Sequence, residues 1–211
     1  MIKVAIVGNI ASGKSQVEKI LLDFGYKVID TDKIGHQLLE NDIKTISEIK
    51  ANFLGDDIFL DEKISRDKLG KVVFSDTVKK QKLEYILHRK IYEKVEDFFN
   101  ENYSEKLVFV AIPLLFETNQ EKTFDKRIFI SADEKLRMKR LIERNNYSEE
   151  YAKKRIDSQA GEEEKIKKSD FVIYNNSDLK SLKQQVEDIL NSLRWVVRHA
   201  WQNVRSALQW N

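Results

Sequence analysis

The chain has 211 residues, a length that suits one large domain or one domain with insertions, and 41% of them are hydrophobic, enough for a real core. It contains no cysteine, which excludes a disulfide framework, a thiolate metal site and a cysteine nucleophile, and which fits a reducing, cytoplasmic compartment. With 37 basic against 35 acidic residues the net charge is +2, too small to imply nucleic acid, and no apolar run approaches the roughly 20 residues that span a bilayer.

The first apolar run, IKVAIV (2–7), reads as a strand, so no signal peptide is expected at the start of the chain. It leads into GNIASGKS (8–15), which fits G-x-x-x-x-G-K-[ST] with Gly8, Gly13, Lys14 and Ser15 in the fixed places. A helical pattern, SQVEKILLDF, follows, giving the strand–loop–helix context that the motif needs. In such a loop, backbone N–H groups converge on one small cavity and the helix dipole adds positive potential there. Lys14 is expected to reach the β- and γ-phosphates of a nucleotide, and the Ser15 hydroxyl to sit on Mg²⁺. The plainer reading is a glycine turn that happens to contain Gly-Lys-Ser.

The second strand, YKVID (26–30), ends in VIDTD (28–32). The functional rim of a parallel sheet lies at the carboxyl ends of its strands. If this strand neighbours the first, Asp30 and Asp32 come near the phosphate loop, on the same side by strand alternation. A carboxylate there can take a proton from an attacking hydroxyl or hold Mg²⁺ through water. The other reading makes the pair helix caps before KIGHQLLE, with Asp32 as the N-cap.

Residues 33–100 form a long helical stretch, more than a crossover requires, and read as an inserted subdomain. LVFVAI (107–112), RIFIS (127–131) and FVIYN (171–175) complete five nearly continuous apolar runs, the pattern of strands covered on both faces. The fold class is therefore α/β with a five-stranded parallel sheet flanked by helices. Between the last two strands, a charged insertion (134–167) carries RMKRLIER (137–144), which places Arg137, Arg140 and Arg144 on one helix face. Arginines on a flap could close over a transferring phosphoryl group and exclude water. Alternatively, the helix is solvated and paired with Glu134, Glu143 and Glu149. No Asn-Lys-x-Asp guanine-reading stretch is present, and DKLG (67–70) falls in a helical pattern, so a GTPase is disfavoured. The last stretch, RWVVRHAWQNVRSALQWN (194–211), holds all three tryptophans, with Trp201, Val197, Val204 and Leu208 at helical spacing. It reads as an amphipathic helix for a surface or partner, as a terminal helix folded back on the domain, or as a sequence foreign to the rest.

Taken together, these motifs resemble the dephospho-CoA kinase family. VGNIASGKS (7–15), VIDTDKIGH (28–36), PLLFE (113–117), RMKRLIERNNYSEEYAKKRIDSQ (137–159) and KIKKSDFVIYN (165–175) follow that family's patterns over about residues 1 to 190. The resemblance implies a P-loop kinase fold of the nucleoside-monophosphate-kinase type. Its core would be 1–32, 101–133 and 168–193, its acceptor-binding region 33–100 and its lid 134–167, with 194–211 left as a tail. It implies ATP-dependent phosphorylation of the 3′-hydroxyl of dephospho-CoA, with ATP and Mg²⁺, in a monomer or weak homo-oligomer with no nucleic-acid or membrane partner. Asp32 matches the base and Asp30 its partner toward metal or substrate. Ala11, Ser12, Gly13, Lys14, Ser15 and Gln16 match the phosphate loop, Arg140 and Arg144 the lid arginines, and Asn175 the stretch near the adenine. Arg66 and His88 match acceptor-region positions. The chain departs from the pattern at Val7 (threonine in the family), Asn9 and Ala11 (glycines), His36 (arginine) and Arg89 (proline). The rivals are another small-molecule or nucleotide kinase of this architecture and a non-catalytic ATP switch.

Overall fold

The computed structural model describes residues 1–61, 63–159 and 161–208, and side chains up to residue 199. Two compact units emerge, residues 1–29 with 102–211 and residues 30–101.

The first unit is built on a five-stranded parallel sheet. Strands β1 (Ile2–Gly8), β2 (Lys27–Asp30), β5 (Leu107–Ala111), β6 (Lys126–Ser131) and β7 (Phe171–Tyr174) lie in the order β2-β5-β1-β6-β7. All five strands expected from the apolar runs are present. The order corrects one premise: β2 does not neighbour β1, because β5 lies between them. Alternation divides the central strands between two buried faces. Val4, Ile6, Phe109, Ala111, Ile128 and Ile130 share one cluster, while Ala5, Val7, Val108, Val110 and Phe129 are fully buried outside it. Burial on both sides is why these strands read as continuous rather than alternating apolar runs.

Helices α1 (Lys14–Asp23) and α9 (Leu179–Leu208) cover the first face. Val17, Ile20 and Leu21 of α1 and Leu182, Val186, Leu190, Leu193 and Val197 of α9 enter the same cluster. Thus α9 runs without a break through residue 194, where composition alone drew a boundary. Val197 is buried, Arg194 Nε donates to Tyr26 Oη at 2.9 Å, and Trp195 stacks on His199 while 61% exposed. The start of the compositional tail is therefore a helix folded on its own domain. The side chains of Trp201, Val204 and Leu208 lie outside the described residues. Among the described residues, no helix is long and apolar enough to cross a membrane.

The second unit contains α2 (Thr31–Asn41), α3 (Ile43–Asn52), α4 (Arg66–Ser75) and α5 (Thr77–Glu101). A small antiparallel hairpin of β3 (Phe59–Leu60) and β4 (Lys63–Ile64) interrupts the helices, a feature too short for periodicity to announce. Leu39, Ile49, Phe53, Ile58, Ile64, Leu69 and Ile86 form its core. Arg89 stands where the resembled family has proline. It sits inside α5, and its Nη2 donates to both Glu48 carboxylate oxygens of α3 at 2.9 Å. This two-pronged contact ties the long helix to its neighbour, and a proline at 89 could not make it.

The charged insertion lies in the first unit as α6 (Glu134–Asn145), α7 (Glu149–Asp157) and α8 (Glu162–Lys167). Leu141, Ala152 and Ile156 give it a small core of its own, with Ile10, Ala11, Met138, Ile142 and Tyr147 packed around them.

Candidate active site

The phosphate loop leaves the buried end of β1 and turns sharply. Ser12 N–H donates to Asn9 O at 3.0 Å, closing the turn, and Gly13 takes φ +102 as the N-cap of α1. No side chain caps α1, and its first turn holds no acidic residue. The orphan N–H groups of that helix end therefore lack the usual side-chain acceptor and suit an anion instead. A Cβ at Gly8 would stand 2.5 Å from Ser12 Oγ, and one at Gly13 would overlap the Asn175 carboxamide. Ser12 is 1% exposed and its hydroxyl has no hydrogen-bond partner among the described residues. A buried polar atom left unpaired inside such a cradle suits a site that takes a polar ligand. Lys14 starts α1 and its Nζ lies 3.3 Å from Glu18 Oε1 one turn on, while Ser15 and Gln16 are exposed.

Asn175, Arg140 and Gln159 are among the residues that hold this loop from elsewhere. Asn175, just past β7 and 3% exposed, donates Nδ2 to Ser12 O at 2.7 Å and to Gln16 Oε1 at 3.4 Å. Arg140 on α6 donates to Ala11 O at 3.2 Å, Ser12 O at 3.4 Å and Asn175 O at 3.0 Å. Gln159 accepts from Ile10 N–H at 2.7 Å. Ala11 itself adopts φ +60, a conformation that favours the glycine of the resembled pattern. Its methyl group packs on the α6–α7 cluster, which offsets part of that strain.

The three arginines expected on one face divide. Arg140 grips the loop. Arg137 turns inward, 7% exposed and 3.7 Å from Glu162 Oε2, with no hydrogen-bond partner for Nε and Nη1 among the described residues. Arg144 is exposed and donates to Asn145 Oδ1 at 2.9 Å. The glutamates Glu134 and Glu143 pair with Lys153 and Lys139 rather than with these arginines.

In the second unit the aspartates are placed differently from the strand reading. Strand β2 ends at Asp30, so Asp32 lies in the first turn of α2 and alternation does not govern it. Asp30, not Asp32, is the N-cap: its Oδ1 accepts the Asp32 N–H at 2.9 Å. Asp30 is buried and Asp32 exposed. Arg66 is exposed at the first position of α4, His36 is exposed on α2, and His88 of α5 is partly buried beside Tyr92.

Residues 2–181 match the family model for dephospho-CoA kinase. The chain belongs to the dephospho-CoA kinase family. A dephospho-CoA kinase of Listeria monocytogenes serovar 1/2a is 39% identical over 188 residues, 87% of this chain and 92% of the relative. One from Fusobacterium nucleatum is 39% identical over 186 residues, 87% of this chain and 94% of the relative. The solved dephospho-CoA kinase of Campylobacter jejuni superposes with a TM-score of 0.68 at 33% identity, over 90% of this chain and 96% of that one. A shikimate kinase from Bacteroides thetaiotaomicron, at 12% identity and a TM-score of 0.53, shares the fold. As a dephospho-CoA kinase the chain is a phosphotransferase acting at the last step of coenzyme A biosynthesis.

Several residues around the dephospho-CoA kinase loop escaped the sequence reading. Asn9, Glu117, Gln159, Glu162 and Lys165 all lie in or beside quoted motifs, yet only their side-chain geometry reveals what they do. Lys165 Nζ pairs with Glu117 Oε1 of PLLFE at 2.6 Å, which gives that motif a structural partner.

Proposed function

We propose that the loop from Gly8 to Gln16 holds the β- and γ-phosphates of ATP and that the γ-phosphoryl passes to the ribose 3′-hydroxyl of dephospho-CoA, giving CoA and ADP. The observation that carries the reading is the uncapped start of α1 beside the unpaired, buried Ser12 hydroxyl. Lys14 neutralises charge on the transferring group, as its place in the loop requires. Arg140 and Arg144 belong to the lid, with Arg140 fixing the loop carbonyls and Arg144, exposed, available to the nucleotide. Asn175 keeps the loop in register through Ser12 O and borders the adenine end of the site.

Asp32 takes the proton from the attacking hydroxyl. It is exposed in the first turn of α2, while Asp30 holds the turn. Residues 33–100, with Arg66 and His88, bind dephospho-CoA. Among the described residues, no group of three or more acidic or histidine side chains gathers that could cage a metal. That suits Mg²⁺, which takes one or two protein oxygens and completes its shell with phosphate oxygens and water. Ser15 and Asp30 are the residues that would hold it, and when bound it supplies charge neutralisation on the phosphates. The absence of cysteine fits a cytoplasmic enzyme.

The test is direct. The protein is incubated with ATP, with and without Mg²⁺, and with dephospho-CoA or a panel of nucleosides and hydroxy acids. CoA found by mass, with ADP formed in equal amount, is the expected result. ADP release with another acceptor and none with dephospho-CoA would defeat the substrate assignment.

A further inference from the structure

We propose that Asn9 is a positioning residue that couples the phosphate loop to the segment bearing Gln159, Glu162 and Lys165 and so sets the affinity for ATP. The inference rests on the reading that this loop binds ATP. Asn9 is 6% exposed and both ends of its carboxamide are engaged. Nδ2 donates to Glu162 Oε2 at 3.0 Å, and Oδ1 accepts from Lys165 Nζ at 3.3 Å. Glu162 and Lys165 stand three apart on α8, one turn of one face. Each is anchored again behind the contact: Glu162 accepts from Ser131 Oγ at the end of β6, and Lys165 pairs with Glu117 at 2.6 Å.

The backbone of the same residue closes the loop, because Asn9 O accepts the Ser12 N–H at 3.0 Å. A displacement of α8 therefore pulls on the turn whose next residues cradle the phosphates. The neighbouring Ile10 N–H is held by Gln159 Oε1 at 2.7 Å, from the same segment. A glycine at 9 could close the turn but would have nothing with which to grip α8. Coupling of this kind is reciprocal: if α8 fixes the loop, a nucleotide that fixes the loop must steady α8 by the same free energy.

The experiment uses the full chain in steady-state turnover and in amide hydrogen exchange. In Asn9→Gly, the KM for ATP should rise about 5- to 10-fold, the worth of about one ordinary net hydrogen bond. The kcat should change less than about twofold and the KM for dephospho-CoA should not move. In the parent protein a non-hydrolysable ATP analogue should slow exchange across residues 161–168; in Asn9→Gly that protection should shrink. Asn9→Asp sets a carboxylate against Glu162 and should raise the ATP KM at least as much. Adding Glu162→Gln restores a donor–acceptor pair with reversed polarity, since the new amide donates to Asp Oδ and still accepts from Ser131. The double variant gives up the 3.7 Å Arg137–Glu162 pair but should still bring the ATP KM well below that of Asn9→Asp, a rescue that a merely structural role would not give. An ATP KM within twofold of the parent in both single variants, or protection of 161–168 unchanged in Asn9→Gly, overturns the coupling. Failure of the parent protein to turn over ATP at all would instead overturn the underlying loop assignment.

Discussion

Arg140 Nη2 donates to the carbonyl of Asn175 at 3.0 Å, while the carboxamide of Asn175 donates to Ser12 O at 2.7 Å. An arginine of α6 and a strand-end asparagine thus form one chain of contacts that ends on the phosphate loop. Arg140 also reaches Ala11 O and Ser12 O, so its guanidinium ties the loop carbonyls to the end of β7.

Arg140→Ala should therefore do two things at once. It leaves three carbonyls without their charged donor, at a cost of about 1–3 kcal/mol, which corresponds to a fall in Tm of several degrees. If Arg140 also serves the transferring phosphoryl group, as proposed, kcat should drop by about 10- to 100-fold, well below the ~10³–10⁵-fold of an arginine finger supplied in trans. Arg140→Lys, a point charge without the fork, should recover part of the stability and little of the rate. A variant with parent Tm and reduced kcat would show that the carbonyl contacts contribute nothing to the fold.

Gly13→Ala tests the closeness of the cradle. The residue has φ +102, and a Cβ would overlap Asn175 Nδ2, so strain and collision act together. The substitution should lower stability by about 2 kcal/mol or more and abolish measurable ATP binding by calorimetry. Pairing it with Asn175→Ala removes the collision, together with the Asn175 hydrogen bond to Ser12 O, and leaves the backbone strain. The double variant should regain stability relative to Gly13→Ala alone, and equal stability of the two would place the damage in the backbone.

Much of this was legible from the residues because the signals were local. The five strands announced themselves as apolar runs, and the loop as eight residues with fixed glycines. Strand order was not legible: nothing in LVFVAI says that it enters between the first two strands. The aspartates were misread for a related reason. Chain alternation was extended two residues past the point where Asp30 caps α2 and ends the strand. Arg137, Arg140 and Arg144 do share helical spacing, but one face of a helix can meet a half-buried glutamate, a loop and solvent within two turns. Asn9 was visible only as a missing glycine, because its partners lie more than 150 positions away in sequence.

Asp42 gives the acid side of the stability profile a definite contributor. It caps α3, accepting from both the hydroxyl and the N–H of Thr45 at 2.6 Å, and these bonds hold its carboxyl below the ordinary value of 3.8. A depressed folded-state value means that the stabilisation is fully present above about pH 4 and fades as pH falls through the folded value. Asp42→Ala should cost about 1 kcal/mol at neutral pH, the usual worth of an N-cap. The difference in Tm between parent and variant should narrow below pH 4. A gap that persists undiminished at pH 2 would mean that the cap acts through shape rather than through charge.

Asp32→Asn separates catalysis from architecture. Position 32 supplies its backbone N–H to the Asp30 cap, and that bond survives any side-chain change. The side chain is exposed, so replacing it by an isosteric amide should leave Tm within about one degree. Turnover should fall by about 10²–10⁴-fold, the range for loss of a general base, while the Kd for ATP stays within twofold. Asp30→Asn makes the contrast: its capping oxygen persists, so a mild loss of rate is expected, with a larger effect when Mg²⁺ is limiting. If Asp32→Asn turns over at the parent rate, the base lies elsewhere, and the carboxylate at the start of α2 would be left as part of a helix end.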